Sequence, residues 1–236
     1  MKPYYEDTKA GITIYHGDAK EIMPKLAKVH LIVTDPPYGI DFQSARPIEG
    51  QEKKKIQNDG FEDYLKMLGW LLPQFKDSLI SGGVCCCCCG GGGTPSLAHL
   101  WIEAGKHLDV ENVCIWDKGY VGMGWRYRFQ WEAVLIATNG ERRVWNGGAN
   151  KSNILRVQKI IPQNGDHLTP KPVGLMRELI ECNSDVGDVV LDPFCGSGAT
   201  LEAAKECGRT AIGIELDESY IKLAIKKLQQ EVFNFS

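Results

Sequence analysis

Residues 189–198 read Val-Val-Leu-Asp-Pro-Phe-Cys-Gly-Ser-Gly and run directly into a segment, 198–207, with helical character. An apolar strand, a glycine turn and a helix start let backbone approach a ligand at the carboxyl edge of a sheet. Glu215 ends the next apolar strand, Thr210 to Glu215, about twenty residues further on, where an acidic side chain is placed to take a pair of ribose hydroxyls. No Lys-Ser/Thr follows the glycines, so a phosphate loop is excluded. The dinucleotide fingerprint also fails, because Ala199 and Thr200 follow the Gly-x-Gly. A tight strand-to-helix turn with no ligand remains the plain alternative, so the rest of the chain has to decide.

Upstream, Val29 to Thr34 is a near-continuous apolar run that stops at Asp35-Pro36-Pro37-Tyr38-Gly39. Such a run reads as a parallel strand buried on both faces. Two prolines directly after it hold an extended, non-helical turn. The carbonyls of Asp35 and Pro36 are then free to accept hydrogen bonds from an amino group, and Tyr38 offers a stacking face. Asp-Pro-Pro also suits an ordinary turn.

The other segments fit the same pattern. Residues 12–15 form a strand that stops at His16-Gly17-Asp18, and a helix is expected over 19–27. The polar stretch 41–60, with Lys53, Lys54 and Lys55, reads as a mobile loop. Tyr64, Leu65, Leu68, Leu71 and Leu72 give helical spacing over 61–81. Further helices are expected at 95–107, 173–182 and 217–230, and further strands at 112–116 and 133–138. Strands alternating with helices predict an α/β fold, an open, twisted, mostly parallel sheet flanked by helices in a single domain.

Composition narrows the function classes. With 236 residues, 43% hydrophobic and 24% charged, the chain is neither fibrous nor disordered. No apolar run approaches the ~18 residues of a membrane helix. Residues 1–10 are polar and contain no signal-peptide core, so a cytosolic protein is expected. The formal charge of −3 excludes a uniformly basic coat. It conceals a segment, 118–160, with eight bases against Glu132 and Glu141, a net +6. Four of the six tryptophans (Trp116, Trp125, Trp131, Trp145) lie in or beside that segment.

Five of the nine cysteines are contiguous, Cys85 to Cys89. Alternate side chains of a strand face opposite ways, so one ion cannot collect all five. No second ligand pair follows at zinc spacing. The run is therefore expected to be a buried strand with a glycine-rich exit, against the alternative of a metal or redox site. The scattered Cys114, Cys182, Cys195 and Cys207 suit a reducing compartment.

Taken in order, DPPY at 35–38, HLTPKP at 167–172, LDPFCGSG at 191–198 and GIEL at 213–216 resemble the amino-group S-adenosylmethionine-dependent DNA methyltransferases. These make N6-methyladenine or N4-methylcytosine. The order is similar to the permuted β arrangement, with the catalytic half first. The resemblance covers nearly the whole chain and is weakest between residues 40 and 110. Leu168 and Pro170 depart from the family's usual proline and glutamine.

The resemblance implies a Rossmann-like fold with a catalytic half at 12–116, a small inserted DNA-facing region at 117–165 and a cofactor half at 166–236. It implies S-adenosyl-L-methionine as cofactor and no metal. Phe194, Gly196, Ser197 and Gly198 would line its methionine part, in a turn opened by Asp192. Glu215 would bind its ribose, and Asp18 would lie near its adenine amine, with Asp35 beside it. Thr169 and Lys171 would close over its carboxylate. Asp18 could equally cap the following helix, and Lys171 could be a solvated loop residue.

An exocyclic base amine is a poor nucleophile because its lone pair is delocalised into the ring. Hydrogen bonds to Asp35 and the Pro36 carbonyl would pull the nitrogen toward tetrahedral geometry, for in-line transfer of the methyl group. No cysteine nucleophile is needed, so Cys195 is read as packing. The catalytic set is then Asp35, Pro36, Pro37 and Tyr38, with Tyr38 stacking on a base flipped out of double-stranded DNA. Lys53, Lys54, Lys55, Arg126, Arg128, Arg142 and Arg143 are the expected DNA contacts. A homodimer and a cognate restriction endonuclease are further partners the resemblance allows. Asp at the head of the motif favours adenine N6; cytosine N4 is the close alternative. A catalytically inactive DNA-binding protein and a cysteine-rich metal protein are the alternatives from other classes.

Overall fold

The computed structural model describes residues 1–38, 60–90, 96–122, 126–159 and 170–230. Nine strands form one sheet. In chain order they are β1 (Tyr5–Asp7), β2 (Ile12–His16), β3 (Val29–Thr34), β4 (Leu79–Cys89), β5 (Asp109–Asp117), β6 (Trp131–Thr138), β7 (Ile154–Arg156), β8 (Val189–Asp192) and β9 (Thr210–Glu215). The helices are α1 (Ala19–Ile22), α2 (Phe61–Ser78), α3 (Ser96–Ala104), α4 (Val173–Asn183), α5 (Ala199–Glu206) and α6 (Glu218–Leu228). Across the sheet the order is β1-β2-β9-β8-β3-β4-β6-β5-β7. Only β1 and β6 run against the rest, so the expected open, mostly parallel α/β sheet in a single domain is what forms.

Helices cover both faces. Against one, α4, α5 and α6 pack Leu175, Leu179, Leu201 and Ile221 onto Ile14, Leu31, Val33, Cys86 and Cys88. Against the other, α1, α2 and α3 meet Ile32, Cys85, Cys87, Cys89 and Ile214. The cysteine run is therefore a strand whose residues alternate between two cores, all at most 2% exposed. Burial pushes these thiols up, Cys89 to about 12, so they stay protonated.

From β3 the chain crosses by α2 to β4, whereas from β8 it crosses by α5 to β9 on the opposite side. The neighbours β3 and β8 thus flank the switch point of the sheet. Ligands of open α/β sheets bind in the crevice outside the carboxyl ends of the strands at this place.

Local boundaries differ from expectation for physical reasons. The helix expected over 19–27 is one α-turn followed by a 3₁₀ turn, Met23–Lys25, because Pro24 has no N–H for the α ladder. In α2 the buried stripe is Tyr64, Leu68, Leu71, Leu72 and Phe75, while Leu65 is 38% exposed. Within the segment 117–165, β6 lies inside the sheet between β4 and β5, and β7 extends its edge. Among the described residues, no helix is long and apolar enough to cross a membrane.

Candidate active site

The carboxyl ends of β3 and β8 meet through one buried hydrogen bond. Leu31 and Ile32 pair with Val190 and Leu191. Two residues on, the Thr34 hydroxyl donates to Asp192 Oδ1 at 2.8 Å. The Phe194 amide donates to the same oxygen at 3.1 Å, and Thr200 also bonds this carboxylate. Burial pushes the Asp192 carboxyl up to about 6, against those hydrogen bonds. Asp192, expected on the cofactor, is 3% exposed and its Oδ1 accepts from within the turn. It shapes the loop that would hold one.

The turn itself fits a ligand. Gly196 has φ +49, and a Cβ there would meet nothing within 4 Å, so its outer side is open. Gly198 caps α5 at φ +86, and a Cβ would lie 2.9 Å from Ala224 Cβ, so it serves the α5–α6 packing. The Lys227 ammonium donates to Ser197 Oγ at 3.0 Å. Glu215 at the end of β9 accepts from the Gly196 amide at 2.9 Å and the Asp217 amide at 2.8 Å. Burial raises the Glu215 carboxyl above its usual value. The Gly17 amide donates to the Glu215 carbonyl at 3.0 Å, which brings the Gly17-Asp18 turn alongside. Asp18 caps α1, accepting from the Lys20 amide at 2.9 Å. The neighbouring carboxylates of Asp18 and Glu215 suit a ligand with hydroxyl and amine donors.

On the β3 side, Asp35 lies in a charged cluster. The Tyr38 hydroxyl donates to Asp35 Oδ1. Lys171 Nζ lies 2.9 Å from the same oxygen, 2.9 Å from Glu132 Oε2 and 2.6 Å from the Tyr38 hydroxyl. Lys118 Nζ reaches Glu132 Oε1 at 3.2 Å. Burial opposes charge on Lys171, yet the Asp35 and Glu132 carboxylates push its ammonium above the usual value. Burial and the same two acids push the Tyr38 phenol well up, so it remains a donor. Burial would raise Glu132, but Lys171 and Lys118 hold its carboxyl below the usual value.

Lys171, expected at the cofactor carboxylate, ion-pairs with two protein carboxylates, Asp35 and Glu132. Sequence reasoning missed Glu132, Lys118 and Thr34. One signal was available for Glu132, one of two acids in the basic segment and the second residue of a strand.

The expected DNA contacts separate. Arg126 and Arg128 lie in the β5–β6 loop at the carboxyl edge, with Tyr127 92% exposed between them. Arg126 has φ +63, and Arg128 donates to the Gly122 carbonyl at 2.8 Å. Arg142 and Arg143, also expected to contact DNA, follow β6 and lie at the opposite, amino edge. Arg142 pairs with Glu111 and donates to Asn183 Oδ1 at 2.7 Å, and Arg143 pairs with Asp188 and Asp185. Trp116 is buried, Trp131 partly so, and Trp145 is 48% exposed. Lys53, Lys54, Lys55, Thr169 and Trp125 lie outside the described residues. Among the described residues no cluster of three or more His, Cys, Asp or Glu could hold a metal ion.

Comparison with known proteins accords with this arrangement. DNA adenine methyltransferase YhdJ of Escherichia coli is 26% identical over 92% of this chain and 82% of its own length. The crystal structure of an M1.HpyAVI–SAM complex superposes with a TM-score of 0.73 at 26% identity, covering 93% of this chain and 100% of that one. The cytosine-N4-specific PvuII DNA methyltransferase shares the fold, with a TM-score of 0.75 at 17% identity over 100% of this chain and 91% of that one. With four other curated relatives the match spans only 30% to 38% of the relative's length. The sequence pattern of DNA methylases named for N6 and N4 methyltransferases matches residues 29–226, and the chain belongs to that family.

Proposed function

We propose that the chain is a DNA methyltransferase that binds S-adenosyl-L-methionine and methylates the N6 amine of adenine in double-stranded DNA. One observation carries the reading: Asp35 and the Phe194–Gly198 turn, far apart in sequence, end adjacent strands at the switch point. When bound, the cofactor supplies an electrophilic methyl group on a sulfonium. Phe194, Gly196 and Ser197 would hold its methionine part, Glu215 its ribose hydroxyls, and Asp18 the adenine end.

Asp35 and the Pro36 carbonyl accept hydrogen bonds from the target amine and localise its lone pair on nitrogen. The target lies inside the duplex, so the base is flipped out, at a cost of a few kcal/mol. Tyr38 gives it a stacking face. The β5–β6 loop, with Arg126, Arg128 and exposed Tyr120, Tyr127 and Phe129, supplies phosphate contacts and an aromatic rim at the same edge.

Cytosine N4 is the second reading, favoured by the fold shared with the PvuII enzyme. Incubation with duplex DNA and methyl-labelled cofactor, followed by nucleoside separation, tests both. N6-methyladenine is expected. N4-methylcytosine without methyladenine would move the assignment, and no label in DNA would end it.

A further inference from the structure

Glu132 is a mostly buried acid, its side chain 17% exposed, with no part in the cofactor turn or in the Asp35–Tyr38 motif. Because β6 runs against its neighbours, its first residues lie at the carboxyl edge, with Glu132 beside Trp116 in the register. There its two oxygens separate two ammonium groups, Lys118 at 3.2 Å and Lys171 at 2.9 Å. Both lysine side chains are only 10–11% exposed. The result is a line of alternating charge, Lys118–Glu132–Lys171–Asp35, that ends on the carboxylate facing the reaction.

An ammonium has three donors. One of those of Lys171 goes to the Tyr38 hydroxyl at 2.6 Å, and the ammonium also ion-pairs with Asp35 and with Glu132, each at 2.9 Å. Three directions fix its position. Without Glu132 the ammonium loses one of its two charge partners, and it is free to shift toward Asp35 or away from it. Lys118 in turn fixes Glu132. Drawing charged groups out of water is a poor source of stability, because desolvation opposes the attraction between them. A role in geometry accounts for the arrangement better than a role in folding.

We propose that Glu132 is a positioning residue of the methyl-transfer site: it holds Lys171 against Asp35 and so fixes the carboxylate that accepts from the target amine. The proposal rests on the methyltransferase reading above. It also assigns Lys171 to the catalytic carboxylate rather than to the cofactor's carboxylate, since both acids would have to release the ammonium for the latter.

The test is a double-mutant cycle on the full chain, read as single-turnover methyl transfer to duplex DNA at saturating cofactor. E132Q and K171M should each slow transfer about 10- to 100-fold, in the range of a misplaced catalytic group. The double variant should be no slower than the slower single, because Glu132 acts through Lys171. Cofactor affinity by calorimetry should change less than about twofold in E132Q, a readout that a general structural defect would move. Wild-type transfer by E132Q, multiplicative losses, or a loss wholly in cofactor affinity would each overturn the proposal. If E132Q does not fold, K171M against E132Q/K171M decides: equal rates support it and a further drop overturns it. An unmodified chain that transfers no methyl group, or a D35A variant that still does, would instead refute the underlying reading.

Discussion

The hydroxyl of Thr34 donates to the carboxylate of Asp192 at 2.8 Å, although 158 residues separate them. That bond joins the turn bearing Asp35 to the turn bearing Gly196, so the two motifs are held at one point of the sheet. It lies where solvent is excluded, and a hydrogen bond to a charged group there contributes about 1.5–3 kcal/mol.

The same carboxylate should give stability a pH dependence. Asp192 is raised to about 6 in the folded chain, mainly by burial. A raised folded value means that its contribution is fully present below the unfolded value of about 3.9 and is lost as pH rises through about 6. Asp192→Asn lacks that loss. Its stability relative to the unmodified chain should therefore rise by up to roughly 3 kcal/mol between pH 4 and pH 7. Urea unfolding at four pH values measures it, and parallel curves would refute it.

Asp35→Ala should abolish methyl transfer, lowering the rate by at least about 1000-fold, because the target amine loses its charged acceptor. Cofactor affinity should stay within about threefold, since the cofactor turn is built by other residues. Calorimetry alongside a labelled-methyl assay checks both. Surviving activity would remove Asp35 from the mechanism.

Two glycines of one turn should respond differently to alanine. Gly198→Ala adds a Cβ 2.9 Å from Ala224 Cβ at φ +86, so it should lose about 1–3 kcal/mol of stability. Gly196→Ala meets open space at φ +49, so its cost is the left-handed backbone alone, about 1 kcal/mol. Its larger effect should be on cofactor affinity, because the new methyl group occupies the open side. Thermal unfolding and calorimetry on both variants would expose the reverse pattern.

The arginines should divide by edge. Arg126→Ala and Arg128→Ala should weaken duplex binding and lower the salt slope by about 1 each. Arg142→Ala should leave DNA affinity unchanged while costing about 1–3 kcal/mol, because Glu111 and Asn183 lose a charged partner. Binding titrations at three salt concentrations distinguish the groups. Equal loss from all three variants would contradict the edge assignment.

Thiol labelling should find Cys114, Cys182 and Cys207 in the native chain and miss Cys85 to Cys89 and Cys195, which are buried. In denaturant all nine should react. Rapid native labelling within the run would mean that β4 opens far more readily than a central strand should.

Local pattern was enough for most element types, though not for β1 and β7, and for the two turns that follow β3 and β8. The apolar run 29–34, the two prolines after Asp35 and the glycines at 196 and 198 act through backbone geometry within a few residues, so sequence alone determined them. It also determined that the five cysteines could not share one ion, because a strand sends neighbours to opposite faces.

Tertiary structure decided the rest. Which charge meets which depends on contacts between residues distant in the chain. Reversal of β6 placed Glu132 at the reacting edge and sent Arg142 and Arg143 to the far one. Lys171, on the approach to α4, found Asp35 and Glu132 because β3 and β6 both flank β4. No periodicity encodes such meetings: strand order is set by burial across the whole sheet, and each side chain's charge partner follows from that order.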